Sequence, residues 1–504
     1  MRTSDWDVTA PARIVSLDPA GWDELKVGYC GRLNDLPLLR CFQVAELSGA
    51  RCAVIETRYL GPDYRREYSR LHSRTFPHVP DWAHRIHFFD SELDVSQLTT
   101  LPEEVGYLGY VVVRPPRLSA VVKAMLVPPP DLRLAVRTAV AETIHLFGQE
   151  LSVAAVPFAE QDTTLGVCAH AAAWSCHYTA ALRGYCAPLT IAELAETADA
   201  SLSPHRAFPN QGLTVQQLSD LFRRHGTPPM FYMIGMLPHA ELPGQFPPPA
   251  GVPGADPGTW DTRIVSTACR HLNGGFPVLV GTRDHAFVLC GWWREAGQIR
   301  LVRHDDQQGP YLPVNDPLSD SLVHPVTGAP RDYGPWRTLH VPMPPTAWLL
   351  PEAAEKKGGV GLLAGSSALA SPLATKLSQD VPSLSDLMAQ SALTFRTYVA
   401  RSCDYKAALA SRGHSNATVA MLRLTQMPRF VVVVEAIDRN ARQADGPCVV
   451  AEAVMDATSP DRDPSWIAAW VHGATCILED PDDPLAVRSA SAPTRVLSGG
   501  VGPA

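Results

Sequence analysis

The pattern of apolar and polar positions divides the chain into stretches of different period. Within the first 150 residues, RCAVIETRYL and GYLGYVVVRPP carry apolar, β-rich runs and predict strands, whereas LRLAVRTAVAETIHLFG spaces its apolar residues as a helix does. An Ala-rich run opening at Cys168 predicts a helix that follows a polar, Gly-containing approach beginning at Gln161. Thr190 with Glu193, and Thr214 with Gln217, form capping boxes that predict two more helices, the second stopped by Gly226. DTRIVSTACRHLNGG predicts a fourth helix, and FPVLVGT, HAFVLCGWW and QIRLVRH then predict three strands in close succession. The order is helices first, then an antiparallel sheet. Near the C-terminus, PRFVVVVEAID and CVVAEAVMDAT flank a polar loop and predict a hairpin.

Punctuation between these stretches suggests an α/β (α+β) chain of several modules. Residues 1–150 form an N-terminal α/β module and residues 151–345 the helices-then-sheet domain. The stretch PEAAEKKGGVGLLAGSSALASPLA, rich in Gly, Ala and Ser without a period, marks a linker over 346–375. Residues 376–488 form a C-terminal α/β module, and 489–504 a disordered tail. The Pro-rich LPGQFPPPAGVPGADPG inside the middle domain is too irregular for an element and is expected on the surface.

Composition narrows the function classes. With 46% hydrophobic and 19% charged residues over 504 positions, the chain can bury a substantial core. Its net charge of -8, with both signs interspersed, lacks the basic field of a nonspecific nucleic-acid binder, so nucleic acid is an unlikely partner. Eleven cysteines, an odd number without a CxxC pair, argue against a disulfide framework and for a reducing compartment. The first residues lack a basic region followed by an apolar one, and no stretch is apolar for long enough to span a bilayer; the expected location is cytoplasmic, with no membrane partner. Arg58, Arg65, Arg66, Arg70 and Arg74, interleaved with Tyr59, Tyr64 and Tyr68, can grip a phosphate or an acidic partner or simply form a solvated helix face, and the last reading is preferred. Cys30, Cys41 and Cys52 lack metal-ligand spacing and read as buried apolar residues.

The candidate chemistry centres on Cys168. A thiol at a helix start meets unpaired backbone N–H groups and the positive end of the helix dipole, which favour the nucleophilic thiolate. His285 opens the strand HAFVLCGWW and can serve as its base. Asp305 ends IRLVRHD, where it can orient the imidazole, with Asp306 as a rival. Gln161, seven residues before the thiol, can join the Cys168 N–H in polarising a carbonyl oxygen. A zinc reading of Cys168, His170, Cys176 and His177 fails on helix geometry. Residues eight apart lie about 12 Å from each other along a helix, far beyond a shared ion with bonds near 2.3 Å. Cys176 and Cys186 read as core or helix-end residues.

The order Gln161 in FAEQDTTLGVC, Cys168 in LGVCAHAAAW, His285 in PVLVGTRDHAFVLCGW and Asp305 in IRLVRHDDQQGPY resembles the papain-like cysteine peptidase superfamily, especially its bacterial bacteriocin-leader-peptidase-like (double-glycine peptidase-like) branch. The resemblance covers about 190 residues. It implies a papain-like domain at 151–345, with N-terminal helices and an antiparallel sheet, and Cys-His-Asp hydrolysis of peptide bonds in a polypeptide substrate. No metal or organic cofactor is implied. Ala169 replaces the Gly usual after the nucleophile, and Asp306 the Pro usual after the Asp. The texture of LGVCAHAAAWSCHYTAALRGY also resembles transglutaminase-like folds, so acyl transfer or deamidation is an alternative. So is a noncatalytic scaffold that binds a protein partner.

Overall fold

The computed structural model describes residues 11–30, 35–74, 76, 79–102, 105–114, 120–161, 168–199, 212–234, 260–295, 298–314, 321–359, 361–362, 393–412, 416–443, 446–459, 465–471, 474–480, 483–491 and 496–497. The Pro-rich connection of 242–258 lies outside them. With 33% helix and 36% strand, antiparallel sheets and no barrel, the architecture is α+β.

The chain forms two compact units. The first gathers residues 1–234, 276–293 and 300–344; the second gathers 235–275, 294–299 and 345–504. The first unit begins with a five-stranded sheet in chain order: β1 (Ala12–Ser16), β2 (Cys52–Tyr59), β3 (Ala83–Phe89), β4 (Tyr107–Val113) and β5 (Val121–Leu126). Helices α1 (Pro19–Leu25) and α2 (Leu36–Leu47) start on Asp18 and Asp35, whose carboxylates accept from backbone N–H groups of the first turn. Both supply residues to the core over this sheet. Cys30, Cys41 and Cys52 are buried free thiols.

The helix expected from LRLAVRTAVAETIHLFG is not formed. Its second half is strand β6 (Val140–Leu146), paired in a hairpin with β7 (Gln149–Ala155). In VAETIHL the alternate positions Val140, Glu142, Ile144 and Leu146 are buried, a period of two that the helical reading overlooked because Glu142 is polar. The turn is closed by Phe147 (φ 48°) and Gly148 (φ 89°), consecutive left-handed residues that match the strand twist.

Helix α3 (Pro62–Arg70) carries most of the Arg and Tyr stretch. Arg65 pairs with Asp81, Arg66 with Glu193 and Arg70 with Glu196, while Arg58 lies over the Trp82 ring and Tyr64 is buried. These cations are engaged within the chain.

Helices α4 (Cys168–Leu182), α5 (Ile191–Asp199) and α6 (Val215–Arg224) follow, α5 and α6 each opened by its expected capping box. They pack around Trp174, Leu194, Leu221 and Phe222. The second sheet comprises β8 (Pro229–Met233), β9 (Val278–Gly281), β10 (Ala286–Glu295), β11 (Gln298–Asp305), β12 (Gly309–Val314) and, beyond the hairpin β13–β14 (Ser321–Val323 and Pro330–Asp332), β15 (Thr338–Pro342), in the order β12-β11-β10-β9-β15-β8.

The two sheets of this unit share one hydrophobic core. Ile55, Phe88 and Val111 from the first cluster with Cys290, Val302 and Tyr311 from the second. Residues 1–150 and the sheet expected in 151–345 therefore belong to a single folding unit. Conversely the fourth helix, α7 (Trp260–Asn273), belongs to the second unit, where Arg270 donates to both Glu355 oxygens at 2.9 and 2.6 Å.

Glu355 lies in a correction to the expected linker. Residues 351–359 are helical: a leading Pro, early Glu and later Lys suit a helix, and Ala354 is fully buried. The rest of that stretch, 363–392, is outside the described residues. The second unit's sheet runs β16 (Leu393–Arg401), β17 (Phe430–Gln443), β18 (Gly446–Asp456), β19 (Trp466–Val471), β20 (Ala474–Asp480) and β21 (Asp483–Ser491), with β17 and β18 pairing as the expected hairpin. The tail expected to be disordered contributes the end of β21 and a short β22 (Val496–Leu497), which pairs with β18; 492–495 and 498–504 are not among the described residues. No helix among the described residues is long and apolar enough to cross a membrane.

Two outcomes follow. Fragment 151–345 exposes the half-core that residues 1–150 cover, and it is expected to aggregate or to melt without cooperativity; a soluble fragment with a sharp thermal transition contradicts the shared core. Burial also lowers several histidines from 6.5, His84, His177 and His340 to about 4 and His271 to about 3, through loss of solvation of the charged form. Below pH 6.5 the unfolded chain takes up protons that these rings refuse, so the stability these rings allow is full above 6.5 and falls as pH drops toward 4. Denaturation midpoints at steps across that window check the sign.

Candidate active site

Helix α4 begins at Cys168, which is partly buried against the cluster that includes Leu279, Ala286 and Val288 of β9 and β10. Four side chains fix the helix. Ser175 Oγ donates to Pro157 O (2.6 Å), Trp174 Nε1 donates to Leu189 O (3.0 Å), and Tyr178 Oη donates to Glu142 Oε1 (2.6 Å). Lys123 Nζ, from β5, donates to both Glu142 Oε1 and Tyr178 Oη at 2.7 Å. This buried ion pair is closed by a second phenol, Tyr110 Oη, on Glu142 Oε2 (2.8 Å), which provides the hydrogen bonds that a desolvated pair requires.

The approach to Cys168 is held as well. Phe158 bridges to Ala124 of β5, and Glu160 Oε2 accepts the N–H groups of Ala120 and Val121, each at 2.8 Å. Gln161 is half-buried directly after this anchor, and residues 162–167, between it and Cys168, lie outside the described residues.

His285 closes the four-residue loop between β9 and β10. Its carbonyl accepts from the Thr282 N–H (2.9 Å) and hydroxyl (3.2 Å). Cys168 is among the groups that raise the His285 pKa, although neither ring nitrogen meets a partner in hydrogen-bonding geometry among the described residues. Nε2 lies 3.3 Å from Asp305 Oδ1 and 3.7 Å from Asp306 Oδ1.

Consecutive residues of a regular strand point to opposite faces, yet Asp305 and Asp306 reach the same ring. Asp305 is the last residue of β11, and the register with β12 shifts between Arg303 and Asp305, a bulge that re-aims the following side chain. The turn is then locked. Gln307 N donates to Asp305 Oδ1 (3.0 Å), His324 Nε2 bonds Gln308 O (2.9 Å), and the Arg40 guanidinium reaches from α2 to Pro310 O (3.1 Å) and Tyr311 O (2.7 Å). Gly309, with φ 118°, sits so close to Arg40 that a Cβ would lie 2.4 Å from the arginine Cβ.

Burial pushes the His285 pKa down, but the Asp305 charge and hydrogen bond, the Cys168 contact and the Asp306 charge outweigh it and raise the ring to about 10. Asp305 resists burial through His285, Arg303 and Tyr333 and is held well below the usual carboxylate range. Asp306 goes the other way: burial and the Asp305 charge exceed the help of His285 and Arg331 and push it up. Of two carboxyls beside one imidazole, Asp306 thus ionises less readily than Asp305.

Sequence reasoning missed the aromatic and cationic backing of this cluster. The Tyr333 ring lies 5.4 Å from the His285 ring and 5.9 Å from Phe287, with the Arg303 guanidinium 4.2 Å above it. Arg303 is fully buried, and its place two residues before Asp305 on β11 was the available signal. His170 and Cys176 are buried in α4, and Cys186 Sγ lies 3.6–3.7 Å from both ring nitrogens of His177, a contact with the ring face. His285, Asp305 and Asp306 offer ligand atoms within 4.8 Å of one another.

No protein-family model, curated protein or solved structure matches the chain. The site is read from its own geometry.

In nitrogen NMR spectra at neutral pH, His285 is expected as the doubly protonated imidazolium. Asp305→Asn is expected to return it to the neutral ring and Asp306→Asn to leave it charged. The reverse pattern assigns the orienting role to Asp306.

Proposed function

We propose that the chain is a cysteine-dependent hydrolase of amide bonds, with Cys168 as nucleophile, His285 as acid and base, and Asp305 as orienter, on a papain-like arrangement within residues 151–345. The observation that supports this reading is a buried imidazole, His285, with Nε2 3.3 Å from a buried carboxylate, whose proton Cys168 at the start of α4 helps to hold. An imidazolium beside the sulfur favours the thiolate.

In the proposed cycle the thiolate attacks the carbonyl carbon and the C=O π pair moves onto oxygen. The backbone N–H of Cys168 and the Gln161 amide are assigned to hold that oxyanion. Collapse breaks the C–N bond as His285 Nδ1–H protonates the departing amine, leaving a thioester and a neutral imidazole. The imidazole then takes a proton from water, which attacks the thioester, and Cys168 leaves as thiolate. Replacing water by an amine gives the transglutaminase-like alternative with the same residues. The scaffold alternative is disfavoured by the arginines expected to form its recognition surface: Arg65, Arg66 and Arg70 are paired within the chain.

Substoichiometric iodoacetamide near neutral pH, followed by peptide mapping, is expected to modify Cys168 ahead of exposed Cys403 and well ahead of Cys176 and Cys290, whose thiol pKa values burial raises. With p-nitrophenyl acetate as a generic acyl donor, Cys168→Ala is expected to abolish turnover, and Asp305→Asn to lower it roughly 10²–10⁴-fold, as loss of an imidazole's orienting carboxylate does. Preferential labelling of Cys403, together with ester hydrolysis that survives Cys168→Ala, sinks the proposal.

A further inference from the structure

The two distances at His285 Nε2 are the least conventional feature of the site. A charge-assisted N–H to carboxylate bond is about 2.7–2.9 Å long. At 3.3 and 3.7 Å, neither Asp305 nor Asp306 sits at that length. Among the described residues, neither Asp306 oxygen meets a hydrogen-bond donor in bonding geometry, although the residue is only 4% exposed. A carboxylate buried without a donor is costly, and something else must satisfy it.

The separations fit the edges of a coordination polyhedron. Zinc bonded to nitrogen and oxygen at about 2.0–2.2 Å in a tetrahedron spaces its ligand atoms roughly 3.3–3.6 Å apart. The three donors are one imidazole and two carboxylates, all buried, with ligand atoms mutually within 4.8 Å, and Cys168 is not part of the cluster. Asp306 also lines a small cavity with Ala171, Ala172, Ser175, Phe287 and His304, of a size that admits a single water.

We propose that His285, Asp305 and Asp306 form a binding site for a zinc-class divalent cation on the Nε2 side of the imidazole, and that the bound ion arrests the Cys168–His285 dyad. A neutral imidazole has one lone pair. When Nε2 gives it to the ion, Nδ1 carries the remaining proton and cannot accept another, so the ring no longer serves as base toward water in deacylation. The binding claim stands on the cluster alone; the arrest rests on the catalytic reading above.

The test uses the full chain stripped by chelator. Zinc is titrated in competition with a chromophoric chelator, cobalt spectra are recorded, and p-nitrophenyl acetate turnover is followed with and without zinc. The expected result is one tight site that weakens at least ~100-fold in Asp306→Asn and changes less than about threefold in Cys168→Ala. Cobalt is expected to show ligand-field bands without a thiolate charge-transfer band, a readout on the unmodified chain that does not depend on any variant folding. Zinc is expected to stop turnover and chelator to restore it. Binding unchanged in Asp306→Asn, or a thiolate band that Cys168→Ala removes, overturns the site. Turnover unaffected by bound zinc overturns the arrest. Binding as described on a chain with no hydrolysis even in chelator removes the catalytic reading and leaves the site standing; hydrolysis with no zinc bound at millimolar concentration does the opposite.

Discussion

The hydroxyl of Tyr311 governs how the first unit is assembled. It is buried without access to water, so both its donor and its acceptor capacity must be met inside the protein. Its proton goes to Leu126 O at the end of the N-terminal sheet, and its oxygen accepts from Val156 N on the path to the nucleophile. One side chain of β12 thereby ties three segments separated by up to 185 positions in the chain. Arg40 makes a parallel connection from α2 to the carbonyls of Pro310 and Tyr311. The turn carrying Asp305 and Asp306 is thus held in part by Arg40, from the opposite end of the first unit's sequence. A site built on one sheet takes its precision from another.

The electrostatics of the site follow from the same enclosure. A lone imidazole buried to this degree would shed its proton, as His84, His271 and His340 do elsewhere in the chain. His285 keeps it because Asp305 and Asp306 are delivered to one nitrogen by a bulge, and Arg303 helps to keep Asp305 ionised. Enclosure strengthens the attraction that offsets it.

Much of this was legible along the chain. The period changes marked β2, β4, α4 and the β9–β11 run, and the capping boxes of α5 and α6 lie at the expected residues, because capping chemistry is local. Cys168 at a helix start, His285 before a strand and Asp305 at the end of the next strand were equally local statements; the structure starts α4 at Cys168 and places Asp305 3.3 Å from His285. The failures share a cause. VAETIHL was misread because Glu142 occupies a core position made habitable by Lys123, Tyr110 and Tyr178, each distant in sequence. The helix at 351–359 was taken for linker because its partner, Arg270, lies some eighty positions upstream. The boundary at 150 has no counterpart in the first unit, since a shared core is a property of contacts that no single window contains. Asp306 as a second ligand of Nε2 depended on a register shift, which leaves no mark on residue identity.

The interleaving of the two units has a consequence during synthesis. Residues 235–275 belong to the second unit, so the first is interrupted after Ile234 and resumes at Phe276. A ribosome adding about 5–20 residues per second therefore releases Cys168 on the order of ten seconds before Asp305. For most of that interval the nascent chain lacks His285, and throughout it β12, whose Tyr311 ties the two sheets together, has yet to be made. The approach of His285 to Asp305 is thus a late product of translation, absent until most of the first unit that surrounds it has been made.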